Sequence, residues 1–176
     1  AIARMRANKQ EMSKTFWEIF SMQAFLGVIV CIVYVIYVGK FPNEDKFMAY
    51  LQFGYVIAGG FDINWLFFGL EKFKLTVTRN VIIKMVSVML IFVFVKTPED
   101  IYLYTIIMMS ASVMSQAGLW PFVKKEVVWV KPTIRGIIKH IKPNLVLFIP
   151  VIAVSLYKVM DKIMLGNMSD MSQVAY

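Results

Sequence analysis

From Lys142 to Gly166 the chain reads KPNLVLFIPVIAVSLYKVMDKIMLG, an apolar run of membrane-crossing length that carries three charges within it. A helix of roughly 20 apolar residues crosses the hydrocarbon core of a bilayer. Counting from Asn144 therefore places Lys158, Asp161 and Lys162 in the last third of the crossing. An ionisable group inside a membrane helix costs about 2.5 to 3.5 kcal/mol on insertion scales. Lys158 stands at i−3 to Asp161 and i−4 to Lys162, so the three share a helix side that continues from Ser155. That side turns toward protein or water rather than lipid. Two readings stay open: the lysines snorkel to the far headgroups with Asp161 neutralising them, or the cluster forms the wall of a charged cavity. Pro150 removes one backbone hydrogen bond mid-run and favours a kink that neighbouring helices tolerate in a membrane.

Hydrophobic residues make up 59% of the chain and aromatic residues 15%, well above the apolar share of a soluble domain. The fold class expected is all-α integral membrane, with about five transmembrane helices of bilayer length. The first span is read over Phe16 to Val38, the second over Phe47 to Leu70, the third over Val81 to Val95 and the fourth over Ile101 to Phe122. The run after Asn144 is the fifth. Basic residues gather in Ala1 to Thr15, Glu71 to Lys84 and Lys124 to Lys142, whereas Lys40, Lys46 and Lys96 alone mark the turns Gly39 to Lys46 and Lys96 to Asp100. Lysine and arginine excess marks cytoplasmic loops, so the three basic segments face inward and the two short turns face outward. Within the last basic segment, Ile134, Ile137, Ile138 and Ile141 recur at helical spacing with Arg135, Lys139 and Lys142 between them. This pattern predicts an amphipathic helix on the inner membrane surface.

Other intramembrane polar groups are fewer. Asp62 and Asn64 lie in the second span; Asp62 has no lysine within one helical turn and needs a partner on another helix, a water-filled cavity or a bound proton. Simple solvation at the inner interface is the competing reading. Lys84, near the inner end of the third span, reads as a snorkelling lysine, with a substrate-phosphate contact as the alternative. Glu18 and Gln23 fall in the first turns of their span and read as solvated. Gly54, Ala58, Gly59 and Gly60, and the stripe Ala111, Ser115 and Gly118, are small residues that allow close helix approach. Glu99 and Asp100 read as loop solvation rather than a catalytic pair.

Several chemistries are excluded. The single cysteine, Cys31, allows no intrachain disulfide and no cysteine metal site, and His140 is the single histidine. No Walker motif and no G-x-G-x-x-G occurs, so no ATP-driven step is expected. No metal, no cofactor and no nucleic-acid partner is expected. Asn167-Met168-Ser169 fits a glycosylation sequon, a pattern short enough to arise by chance. The absence of an initiator methionine and the ending SQVAY soon after a helix suggest a fragment cut at both ends.

The stretches IARMRANKQEMSKTFWEIF, FDINWLFFGLEKFKLTVTRN and KHIKPNLVLFIPVIAVSLYKVMDKIMLG together resemble the bacterial polysaccharide (oligosaccharide-lipid) flippase family, within the superfamily of multidrug and lipid exporters. The resemblance is most specific in D-x-N-W-x-F-x-G-L-E-K and Y-x-x-M-D-K-x-M-L-G. It implies a two-lobed, inverted-repeat membrane protein that moves an undecaprenyl-diphosphate-linked oligosaccharide by alternating access. Residues 1–122 would be part of the first lobe, 123–143 a basic cytoplasmic linker and 144–176 the first helix of the second lobe. Lys158, Lys162 and Lys84 would meet the diphosphate, and Asp62, Asn64 and Asp161 would hold these cations in place or exchange protons or sodium. Membrane lipids, a polysaccharide polymerase and glycosyltransferases would be its partners in the bacterial cytoplasmic membrane. It would not be an enzyme. Two other classes stay open: a membrane-embedded glycosyltransferase or polymerase using Asp62 or Asp161 as base, and a multidrug exporter whose cavity binds cations.

Overall fold

The computed structural model describes Ile2, residues 8–40 and residues 45–168, without the side chains of residues 162, 163 and 165–168. The tip of the turn Gly39 to Lys46, the N-terminal Arg4 and Arg6, Ser169 of the sequon and the side chain of Lys162 thus lie outside the described residues. Among the described residues all regular structure is helical. The elements are α1 (Lys9–Lys40), α2 (Lys46–Gly60), α3 (Asn64–Gly69), α4 (Phe73–Phe94), a 3-10 turn (Pro98–Asp100), α5 (Ile101–Ala117), α6 (Trp120–Glu126) and α7 (Ile134–Met168). Four stretches are long and apolar enough to cross a membrane: Lys9–Lys40, Phe73–Phe94, Pro98–Glu126 and Ile134–Asp161.

The second span differs from expectation. It is not one helix over Phe47 to Leu70 but α2, 15 residues long, and the 6-residue α3. At 1.5 Å per residue α2 alone reaches about 22 Å, short of the hydrocarbon thickness. The break has a local cause. Gly59 and Gly60 are poor helix formers, by about 1 kcal/mol each relative to alanine. Immediately after them, the Asp62 carboxylate accepts from the Asn64 backbone N–H at 2.8 Å, an Asx turn that competes with the helical ladder. α3 then closes in a Schellman arrangement: the N–H of Lys72 donates to Phe67 O at 2.9 Å and that of Glu71 to Phe68 O at 3.0 Å. Glu71 holds the left-handed position, φ 58°, that glycine usually fills.

Because α3 ends there, α4 starts at Phe73, and most of the stretch expected as a cytoplasmic loop, Glu71 to Asn80, is helix. Thr76 fits the first turns by donating to Phe73 O at 2.9 Å. The turn before α5 is a capping box in which Asp100 accepts from the Lys96 and Thr97 N–H groups, both at 2.9 Å. Asp100 is a cap, not merely a solvated loop residue.

Residues up to Thr133 form one compact unit and those from Ile134 a second. In the first, α2 lies between α1 and α5, α4 packs on α5, and α3 touches α4. A methyl group on Gly27 of α1 would stand 3.4 Å from Gly60 Cα, and one on Gly54 would run into the Met109 side chain. These are the close approaches of α1 and α5 to α2. A methyl on Gly59 would meet nothing within 4 Å, so its smallness serves no helix contact. The core gathers at one end of the bundle, where Met12 and Phe16 of α1 meet Ile63, Leu66, Phe67, Leu119, Val123 and Val127. Beside it the segment after α6 is strapped along α1. Trp17 Nε1 donates to Val128 O at 3.0 Å, Val128 N donates to Ser13 Oγ at 3.1 Å, and Thr133 Oγ1 donates to Glu18 Oε1 at 2.8 Å. Glu18 is buried, not solvated. Away from this end the apolar faces of α1 and α4 are exposed, from Phe25 to Ile36 and from Val81 to Phe94, as surfaces that meet lipid.

The second unit is one helix. The isoleucine periodicity does start a helix at Ile134, but that helix continues without interruption through Pro143 and Pro150 into the apolar run. The amphipathic segment and the fifth span are therefore one element rather than two.

Candidate functional site

The site grows from the break between α2 and α3, which frees backbone carbonyls inside an apolar bundle. Unpaired carbonyls there cost several kcal/mol each in hydrocarbon. Gln23 of α1 supplies the missing donor: its Nε2 donates to Gly60 O at 3.2 Å and to Asp62 O at 2.7 Å. Its Oε1 accepts from Trp65 Nε1 at 3.1 Å. Gln23 thus ties both sides of the break to α1, in place of the solvated role expected for it.

On the other side of the break, polar side chains form a connected network. Asn64 Nδ2 donates to Asp62 Oδ1 at 2.7 Å and to Gln116 Oε1 at 3.2 Å. Asn64 Oδ1 accepts from Arg79 Nη2 at 3.1 Å, and the same Nη2 donates to Asn80 Oδ1 at 2.8 Å. Ser115 Oγ donates to Asn80 Oδ1 at 2.9 Å. The network therefore joins α3, α4 and α5, and it fixes the amide orientations through one charged donor. Arg79 keeps donor capacity in reserve: its Nε and Nη1 are buried and have no partner among the described residues. Leaving such donors unpaired costs about 1 to 3 kcal/mol, which the two bonds of Nη2 offset in part.

Above the network opens a cavity of about 480 Å³ between α2, α4 and α5. Asn64, Asn80, Ser115 and Gln116 contribute one side of its lining; Tyr55, Lys84, Ser87 and Ser112 add further polar groups. Lys84 is the charged group in this lining, and no carboxylate contributes to it. Because α4 starts at Phe73, Lys84 stands eleven residues into the helix, about 16 Å from its start. It is thus a mid-helix lysine.

Of the residues singled out from sequence, Asp62, Asn64 and Lys84 come together around this network and cavity. Lys158 and Asp161 lie on α7, both exposed, and among the described residues no salt bridge joins them. Lys162 belongs to the same helix, with its side chain outside the described residues. Arg79 and Asn80 were hidden by the loop reading of Glu71 to Asn80. Once that stretch is helical, Thr76, Asn80, Lys84 and Ser87 fall at i, i+4, i+8 and i+11, a polar stripe facing the partly polar stripe Met108, Ser112 and Ser115 of α5. Ser115 and Gly118 thus do more than allow smooth packing, since Ser115 bonds Asn80 and Gly118 lies 3.4 Å from the Arg79 Cδ when a methyl is placed on it.

A family model described as "Polysaccharide biosynthesis protein" matches residues 1–176. A Shigella dysenteriae protein named "Putative O-antigen transporter" is 32% identical over 105 residues, 57% of this chain and 26% of that protein. The chain thus aligns with about a quarter of that relative's length. No solved structure matches it. With its whole length matched, the chain belongs to the polysaccharide biosynthesis protein family.

Proposed function

We propose that the full-length protein flips an undecaprenyl-diphosphate-linked oligosaccharide across the bacterial cytoplasmic membrane by alternating access, supplying cell-surface polysaccharide synthesis. The observation that supports this reading best is the lining of the α2–α4–α5 cavity: amides and hydroxyls that suit a sugar, one lysine that suits a phosphate, and no carboxylate. An anionic head crossing a low-dielectric layer is stabilised by a nearby cation and by hydrogen-bond donors that replace its water. Arg79, outside that lining, bonds two of its residues, Asn64 and Asn80, and its Nε and Nη1 have no partner among the described residues, so a second cation stands behind them. Lys158 and Lys162 on α7 would contribute further positive charge, with Asp161 beside them in sequence. Asp62 and Asp161 are the groups available for proton or sodium exchange.

The two competing classes fare less well. A glycosyltransferase or polymerase with Asp62 or Asp161 as base is disfavoured by the short turn Lys96 to Asp100, which offers little surface to hold an acceptor, and Asp62 Oδ1 already accepts two hydrogen bonds from Asn64. A multidrug exporter for cations needs acidic cavity groups, and this lining has a lysine instead. In this reading no bond is made or broken, so the protein is not an enzyme; a polymerase and glycosyltransferases act before and after it. The test is deletion of the full-length gene and its return. Deletion should trap lipid-linked oligosaccharide on the inner leaflet and remove surface polysaccharide, and the returned gene should restore both. Trapping on the outer leaflet with polymer lost would favour the polymerase instead, and unchanged pools would reject the reading.

A further inference from the structure

A second cavity, of about 670 Å³, lies between α4 and α6. Its lining divides by chemistry. Lys72 and Lys74 stand at the start of α4 and Thr78 and Arg79 about a turn further on, whereas Leu75, Ile82, Ile83 and Phe122 supply the apolar part of the lining. From Lys74 to Ile83 the wall runs about 14 Å along the helix axis. Lys72 is tied to Glu126 at the end of α6, so its charge is already met. Lys74 is exposed and has no ion pair among the described residues. Lys125 Nζ lies 5.9 Å from the Phe122 ring, adding a cation at the same helix end. Around the groove the α4 surface is apolar and exposed: Val77 is 55% and Ile82 57% accessible. The opening therefore faces the same medium as the lipid-facing helices.

We propose that this groove holds an acidic phospholipid of the inner leaflet, its phosphate against Lys74 and an acyl chain along Leu75, Ile82, Ile83 and Phe122. Charge selects the class of occupant. A basic mouth rejects a cationic ligand, and the apolar residues of the lining bury a hydrocarbon chain, which a free phosphate lacks. The basic-inside pattern puts the mouth at the leaflet where acidic lipids meet lysines, each worth about 1 kcal/mol. Arg79 of the polar network and Ile83 of the polar cavity also line this groove, whereas Lys74, Ile82 and Phe122 line the groove and not the polar cavity, so substitutions at Lys74 and Ile82 probe the groove without altering that cavity's lining.

The experiment is native mass spectrometry of the full-length protein in micelles supplied with phosphatidylglycerol or with phosphatidylcholine of the same acyl chains. The wild type should retain phosphatidylglycerol in preference to phosphatidylcholine, and millimolar inorganic phosphate should not displace it. Lys74→Gln should weaken phosphatidylglycerol retention about fivefold, the worth of one lysine near an anionic surface. Ile82→Trp, which fills the wall without touching a charge, should weaken it as well. Lys124→Gln, an exposed lysine outside the groove, should not. Equal retention of the two lipids, displacement by phosphate alone, wild-type retention in Lys74→Gln, or an equal loss in Lys124→Gln would each overturn the proposal. Should Ile82→Trp lose helicity by circular dichroism, Lys74→Gln against Lys124→Gln decides.

Discussion

Gln23 bonds the break between α2 and α3 with both ends of its amide, to the Gly60 and Asp62 carbonyls and to the Trp65 indole. Gln23→Leu keeps the volume and removes every one of these partners. It should destabilise the chain by about 1 to 3 kcal/mol, the cost of leaving buried polar groups unpaired, read as an earlier midpoint in detergent-titrated unfolding. An unchanged midpoint would mean that the break needs no support from α1. At the far end of α2, Asp45 caps the helix through Met48 N at 2.9 Å and accepts from the Tyr102 hydroxyl at 2.6 Å. The Tyr102 bond first, and the Met48 amide second, hold its carboxyl below the ordinary carboxylate range. A depressed folded-state pKa stabilises above the unfolded value, and the stabilisation disappears as pH falls through the folded one. Asp45→Asn should therefore flatten the acid limb of the stability profile while leaving the neutral region nearly parallel; an acid limb identical to wild type would contradict this. At this scale the sequence was partly legible. Asp62, Asn64 and Lys84 stood out because charge and amide are rare in apolar runs, but Gln23 did not, since the carbonyls it satisfies exist only after the helix breaks.

Elements were legible where periodicity was long and illegible where it was interrupted by local capping. The spans α1 and α5 and the start of α7 at Ile134 follow from hydropathy and the isoleucine spacing. The early start of α4 does not, because Lys72, Lys74 and Arg79 satisfy the rule for a cytoplasmic loop while Phe73, Leu75 and Thr76 already belong to a helix. Charge placement and helix boundary are separate properties, and the basic-inside rule speaks to the first alone. The small residues were legible as a group but not one by one. Gly27, not singled out in the sequence, meets Gly60 backbone to backbone, whereas Gly59 meets nothing. Gly27→Ala should be tolerated, since its methyl would sit at ordinary contact distance. Gly27→Leu should force α1 off α2 and cost about 1 to 3 kcal/mol by overpacking, measured by the same unfolding titration. Equal stability of Gly27→Leu and wild type would show that the two helices do not need this approach.

For the whole molecule, the membrane fold follows from sequence and structure and the family from sequence and comparison, while the orientation rests on charge. In a Cys31→Ser background, a cysteine at Thr97 should react with an impermeant thiol reagent in intact cells, and one at Thr133 should react only after permeabilisation. The reverse pattern would invert the topology. The polar cavity was not legible from any one span, because its lining joins residues of α2, α4 and α5 that are distant in the chain. The central claim is that this cavity meets an anionic head through Lys84. Its most direct measurement is surface polysaccharide in cells carrying the full-length protein as Lys84→Gln or Lys84→Arg, normalised to membrane-inserted protein. Loss of a charge-assisted hydrogen bond to phosphate, worth about 1.5 to 3 kcal/mol, predicts a fall of about tenfold or more for Lys84→Gln, with Lys84→Arg retaining most of the output. Wild-type output from Lys84→Gln would contradict the account.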